Sequence, residues 1–243
     1  WVAAAARKGA SGVGGTALGR AVGCWLLAIV LCSPIMSLSR SAFDSLPKLQ
    51  VQQFTFPNGL ELLVQEDHSA PVASIQAWVK TGSIHEGRLL GSGVSHLLEH
   101  LLFKGTQKRS CNQIAREIQD VGGYINAYTS FDRTVYWVDL PAAGVPVGLE
   151  VIADAVFHST LPEAEYAKEQ EVIRREFAMG FDDPDRVLGE RLFQTAYLTH
   201  PYRYPIIGHL EVFNALTRAD VLDYYRRRYV PNNVFFVVSG AVD

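Results

Sequence analysis

Two histidines four residues apart, His96 and His100, enclose a glutamate in the run His96-Leu97-Leu98-Glu99-His100. On a helix of about 3.6 residues per turn this spacing turns both imidazoles to one side, where they can share a metal ion. Glu99 is three residues from His96 and adjacent to His100. Its carboxylate therefore leans over the same side and can reach a water on that metal without being a ligand. Zinc lowers the pKa of bound water to about 7, and a neighbouring carboxylate can take the proton as the oxygen attacks a carbonyl. The motif points to metal-assisted hydrolysis.

A catalytic zinc has three protein ligands and one open position, so a third donor must come from elsewhere in the chain. Glu176 is the candidate, on a helix that Pro162 opens; Glu169, seven residues earlier, lies two turns back on the same face and could orient the site. Spacing alone leaves Glu163, Glu165 and Glu171 in competition for these roles. A structural zinc would be a closed site dominated by cysteine, and only Cys111 lies outside the N-terminal apolar run. The other histidines, His68, His85, His158, His200 and His209, lack paired spacing and read as surface or loop residues.

The elements that must position these groups are legible from periodicity. Residues 51–56 and 60–65 read as strands around an Asn58-Gly59 turn. Ala73, Ile75, Ala77 and Val79 alternate with polar or amphipathic residues, which predicts a half-buried strand with this set inward. Helices are predicted over 93–103 and over 112–121, the second ending at Gly122-Gly123. A strand pair follows at 124–130 and 134–140. Further helices are expected over 147–158, from a first-turn Pro162 to about 179, from near Pro184, and from the capping box at Thr217 to Tyr229. A last strand runs over 233–239. Interleaved strand-rich and helix-rich segments indicate an α+β fold with a mixed or antiparallel sheet packed against helices.

With 48% hydrophobic residues the chain has enough apolar material for a sizeable core, and its formal net charge of -3 gives no reason to expect nucleic acid as a partner. The longest basic run, Arg226 to Arg228, reads as a solvated helix face. Residues 1–43 contain no Asp or Glu, and Arg7, Lys8 and Arg20 precede an apolar run at 21–32. That run suits a signal-peptide core and falls short of the roughly 20 residues of a membrane span. We therefore expect 1–41 to be an export leader, with Ser37, Ser39 and Ser41 as cleavage positions, 42–50 a linker and 51–243 the folded domain. The expected destination is periplasmic or membrane-associated. An uncleaved anchor, lengthened by residues 34–38, and an organelle transit peptide are the alternatives.

Together with its surroundings the motif resembles the pitrilysin family of metallopeptidases, over roughly 54–243. The resemblance is carried by Lys80-Thr81-Gly82-Ser83, Glu86, the block from Gly93 to Thr106, Gly122-Gly123, Asn126-Ala127-Tyr128-Thr129, Glu169, Glu176, Asp183-Pro184 and Val237-Val238-Ser239-Gly240. The His96 to His100 motif is that of the inverzincins. The resemblance implies a zinc endopeptidase acting on peptides or unfolded polypeptide segments. It makes His96, His100 and Glu176 the zinc ligands, Glu99 the general base and Glu169 the supporting carboxylate. Asn126 and Ala127 would lie in an edge strand that pairs with substrate backbone. It also implies that this length is the N-terminal half of a two-half unit, completed by a homologous second half or partner subunit. Two other readings are a non-catalytic subunit or scaffold of the same fold, and an anchored binding module with a structural zinc.

Overall fold

The alternation at 73–79 becomes strand β3 (Val72–Val79), with Ala73, Ile75, Ala77 and Val79 buried against the helices. The computed structural model describes residues 50–242, so the expected leader and nearly all of the linker lie outside the described residues. The expected hairpin is present as β1 (Val51–Thr55) and β2 (Glu61–Glu66). Its turn is closed by Gly59, at φ +84°, and by Asn58 Oδ1 accepting from the Leu60 N–H at 3.1 Å.

Strands β4 (Tyr124–Thr129), β5 (Thr134–Pro141) and β6 (Val234–Gly240) complete one six-stranded sheet in the order β1-β2-β6-β3-β5-β4. Among the described residues only β2 and β6 pair in parallel; the other neighbours are antiparallel, so the sheet is mixed, as expected of this fold class. The order leaves β1 on one edge and β4 on the other.

The helices are α1 (Val94–Leu102), α2 (Cys111–Asp120), α3 (Val145–His158), α4 (Glu163–Phe181), α5 (Pro184–Ala196), α6 (Leu210–Asn214) and α7 (Arg218–Arg228). Gly122, at φ +79°, donates its N–H to Gln119 O, and Gly123 donates to Ile118 O, so α2 stops at the glycine pair as its sequence predicts. One boundary moves: Pro162 is the residue before α4, not part of its first turn. Its ψ of 139° is not helical, while its carbonyl accepts the Tyr166 N–H. The short α6 carries too few residues to show a period and was not predicted. Helix α3 packs on β3 and β5, α2 on α3 and β4, and α1 lies among β4, β5, α4 and α7.

The start of α1 is set by a close backbone approach. Gly93, at φ +71°, precedes the helix, and a Cβ there would lie 2.0 Å from the Ile207 carbonyl oxygen. Gly208, at φ +87°, sits opposite, where a Cβ would lie 2.6 Å from the Gly93 nitrogen. The His209 N–H donates to Gly91 O at 2.8 Å and ties the two loops together. A left-handed conformation costs a non-glycine residue about 1–2 kcal/mol and overpacking about 1–3 more, so Gly93→Ala is expected to lose about 2–5 kcal/mol. Urea denaturation measures this; an unchanged midpoint would show that the loops separate freely.

Candidate metal centre

Helix α1 is amphipathic. Val94, Leu97, Leu98, Leu101 and Leu102 are fully buried and Ser95 nearly so, leaving His96, Glu99 and His100 as its partly exposed stripe. That stripe faces α4, where Glu169, Ile173, Phe177 and Gly180 form the buried ridge and Glu176 stands half-buried beside it. The helices run antiparallel, since His96 and His100 meet Glu176 while His100 also meets Glu169, seven residues earlier.

The sequence-predicted group converges. His96 Nε2 lies 3.6 Å from Glu176 Oε2, and His100 Nε2 lies 3.6 Å from Glu176 Oε1, so one carboxylate faces both rings. One potential ligand atom from each of the three residues lies within 4.8 Å of the others. Donors of a tetrahedral zinc at its usual bond lengths are about 3.3–3.6 Å apart, so the observed set fits zinc in donor type and spacing. His100 Nδ1 is 3.0 Å from Glu169 Oε2, whose other oxygen receives Lys104 Nζ at 2.7 Å. Such a partner on the second ring nitrogen leaves Nε2 to bind metal. The buried Nδ1 of His96 has no hydrogen-bond partner among the described residues.

Burial first, and then the neighbouring His100, push His96 down to about 3, which keeps it neutral. Burial also works against a charge on His100, but Glu169, Glu176 and Glu99 together hold its pKa above the ordinary value. Burial raises the pKa of Glu99, against a 2.5 Å hydrogen bond from Thr129 Oγ1. Burial likewise opposes ionisation of Glu169, and the partners His100 and Lys104 reverse it, lowering its pKa.

Glu86 anchors the N-terminal end of α1. Its side chain is buried, and its carboxylate accepts the Gly93 N–H at 3.3 Å and the Ser95 N–H at 3.1 Å, groups that the helix itself leaves unpaired. Burial pushes its pKa up to about 7, against these hydrogen bonds.

Asn126 and Ala127 lie on edge strand β4, with Asn126 exposed and Ala127 half-buried. Asn126 Oδ1 accepts the Ala127 N–H at 2.8 Å and its Nδ2 donates to the Tyr124 hydroxyl at 3.1 Å, so Asn126 is satisfied locally. The edge strand reaches the site through Thr129, which sequence reasoning missed although it belongs to the inward set Ile125, Ala127 and Thr129. Lys104 was missed too; it continues the four-residue spacing of His96 and His100. His96, Glu99 and Glu176 open into a cleft of about 510 Å³ whose other walls include Tyr128, Phe131, Phe193, Tyr202 and Ile207.

Residues 61–209 match the family model described as Insulinase (Peptidase family M16). The chain belongs to the M16 peptidase family. An uncharacterized zinc protease of Mycobacterium tuberculosis is 32% identical over 84% of this chain and 46% of that protein. A probable β subunit of the mitochondrial-processing peptidase of Arabidopsis thaliana is 32% identical over 86% of this chain and 39% of its own length. Among solved structures, a protease from Helicobacter pylori superposes with a TM-score of 0.76 at 30% identity, covering 80% of this chain and 47% of that one. The first half of the periplasmic protease PqqL of Escherichia coli gives 0.72 at 26% identity, covering 79% and 43%. This M16 chain thus spans about half the length of the curated relatives it matches. The fold is also that of an inactive M16 domain from Pseudomonas fluorescens, with a TM-score of 0.75 at 21% identity over 80% of this chain and 47% of that one.

Glu86 makes stability depend on pH with a defined sign. Its folded pKa, about 7, lies above the ordinary 4.5, so its contribution is full below about 4.5 and is lost as pH rises through 7. Relative to Glu86→Gln, which carries no charge, the wild type is expected to lose on the order of 3 kcal/mol between about pH 4.5 and pH 8. Urea unfolding of both proteins across that range measures it. Parallel profiles would show that the Glu86 carboxyl is not held as described.

Proposed function

We propose that this chain is the metal-bearing part of a zinc endopeptidase that cleaves peptides or unfolded polypeptide segments. One observation carries the reading: His96, His100 and Glu176 present two imidazoles and a carboxylate to one point, with Glu99 beside them in an open cleft. Bound there, zinc would supply a Lewis acid and make water acidic enough to lose a proton near neutral pH. Glu99 takes that proton as the oxygen attacks the scissile carbonyl, then returns it to the leaving amine. Burial raises the Glu99 pKa and makes it a better base than a solvated carboxylate, while Thr129 holds its Oε2. Glu169 orients His100.

In this reading a substrate strand adds to the β4 edge at Asn126 and Ala127, its main-chain groups pairing whatever its sequence. Asn126 must then release the Ala127 N–H that its own side chain holds. The aromatic walls at Tyr128, Phe131, Phe193 and Tyr202 favour a large apolar side chain next to the scissile bond. The non-catalytic alternative shares the fold, as the inactive Pseudomonas domain shows for its own case, but gives no reason for Glu99 to stand beside the ligand set.

We further propose that a second half or partner subunit completes the cleft. Met179, Phe181, Leu188, Leu192 and Leu198 are all more than 60% exposed at the end of α4 and along and after α5, an apolar surface suited to docking. As for destination, the leader argues for export. Among the similar proteins, PqqL is described as periplasmic and the Arabidopsis protein as mitochondrial. No helix among the described residues is long and apolar enough to cross a membrane.

Glu99→Gln is expected to keep zinc and fold while lowering peptide cleavage by at least about a hundredfold, because the amide preserves shape and loses the proton acceptor. Glu176→Gln is expected to weaken zinc binding itself. Metal content beside cleavage of an unstructured peptide library separates the two, and full turnover in Glu99→Gln would remove Glu99 from its role.

The chain alone, loaded with zinc, is expected to cleave weakly, and adding the polypeptide that completes the length of its relatives to raise turnover by about a hundredfold or more, the worth of one oxyanion donor. Full activity of the lone monomer, with no rise on addition, would show that this part is sufficient.

A further inference from the structure

The helix that carries both histidines ends at Leu102, and two residues later Lys104 turns back toward the metal centre. The Lys104 N–H donates to Leu101 O at 3.0 Å, which fixes the turn in which it sits. Its Nζ lies 2.7 Å from Glu169 Oε1, while Glu169 Oε2 lies 3.0 Å from His100 Nδ1. The side chain of Glu169 is only 8% exposed and that of Lys104 is 27% exposed, so this pair is shielded from most of the screening that weakens surface ion pairs.

Each oxygen of Glu169 therefore has one partner, and the two partners come from the same stretch of chain, His100 and Lys104, four residues apart. Without Lys104 the carboxylate would be buried with one oxygen unpaired and could rotate about its last bond, loosening the His100 contact. Lys104 and Glu169 also join the turn after α1 to α4, two turns along α4 from the point where His100 and Glu176 meet.

We propose that Lys104 is a positioning residue of the metal centre. By holding Glu169 Oε1 it locks the Glu169 to His100 hydrogen bond, and with it the ring orientation that points His100 Nε2 at Glu176. This inference rests on the metal-centre reading above. The loss of an outer partner of a ligand typically costs about tenfold to a hundredfold in metal affinity, the scale expected for Lys104.

The test is zinc affinity of the full chain, measured by competition with a chromophoric chelator. Lys104→Met is expected to weaken zinc binding by about tenfold to a hundredfold. Lys104→Arg, which keeps a cation at the same carboxylate, is expected to stay nearer the wild type than Lys104→Met. In a Glu169→Gln background, Lys104→Met is expected to have little further effect, because the carboxylate it holds is gone. Thermal unfolding of the metal-free variants checks folding, and Lys104→Gln replaces Lys104→Met if the latter does not fold. Wild-type affinity in Lys104→Met, or a loss that Lys104→Arg shares in full, overturns the positioning role. A wild-type chain that binds no zinc overturns the metal-centre reading itself, and the role of Lys104 with it.

Discussion

The antiparallel contact between α1 and α4 forces two imidazoles and a carboxylate to share one partly buried space. Helix α1 buries Val94 and its four leucines on one side, and the other side carries His96, Glu99 and His100 into a partly buried space. Polar groups taken out of water need partners, and α4 supplies them as Glu176 and Glu169. The surrounding architecture holds these two helices in register. The glycine contact between Gly93 and Gly208 sets where α1 begins, and the Glu86 carboxylate holds its first N–H groups.

Within that space the two histidines are treated differently. His96 is buried deeply enough to stay neutral, with Nε2 3.6 Å from Glu176 Oε2. His100 is surrounded by three carboxylates that favour its protonated form. A metal cation would replace the proton in this arrangement, since it satisfies the same carboxylates and accepts the lone pairs of both rings. The acidic surroundings of His100 are therefore a feature expected of a cation site.

The sheet contributes through its edge. Among the described residues the order of strands leaves β4 unpaired on one side, and Thr129 connects the inward face of that strand to Glu99. A strand added at β4 would lie beside the residue proposed as the base. The single parallel pair, β2 with β6, brings the last described strand back beside the opening hairpin, next to β3.

Much of this was legible in the sequence because it depends on local periodicity. The spacing of His96 and His100, the alternation through β3, the glycine pair ending α2 and the capping box at Thr217 each follow from backbone geometry within a few residues. The mixed α+β architecture followed from the order of those elements and from the family resemblance. Local periodicity could not say what a face meets. By spacing alone five glutamates on α4 competed for the site; the family resemblance singled out Glu176 and Glu169, and the packing of α4 against α1 supplies the physical reason. Glu176 and Glu169 face the histidines, whereas Glu165 pairs with Lys168, Glu171 with Arg174, and Glu163 lies near Arg218. Lys104 and Thr129 escaped for the same reason, since their partners are far away in sequence: 65 residues for Lys104 and Glu169, and 30 for Thr129 and Glu99. The sequence determined which side chains share a face; the long-range pairing of helices and strands decided which faces meet.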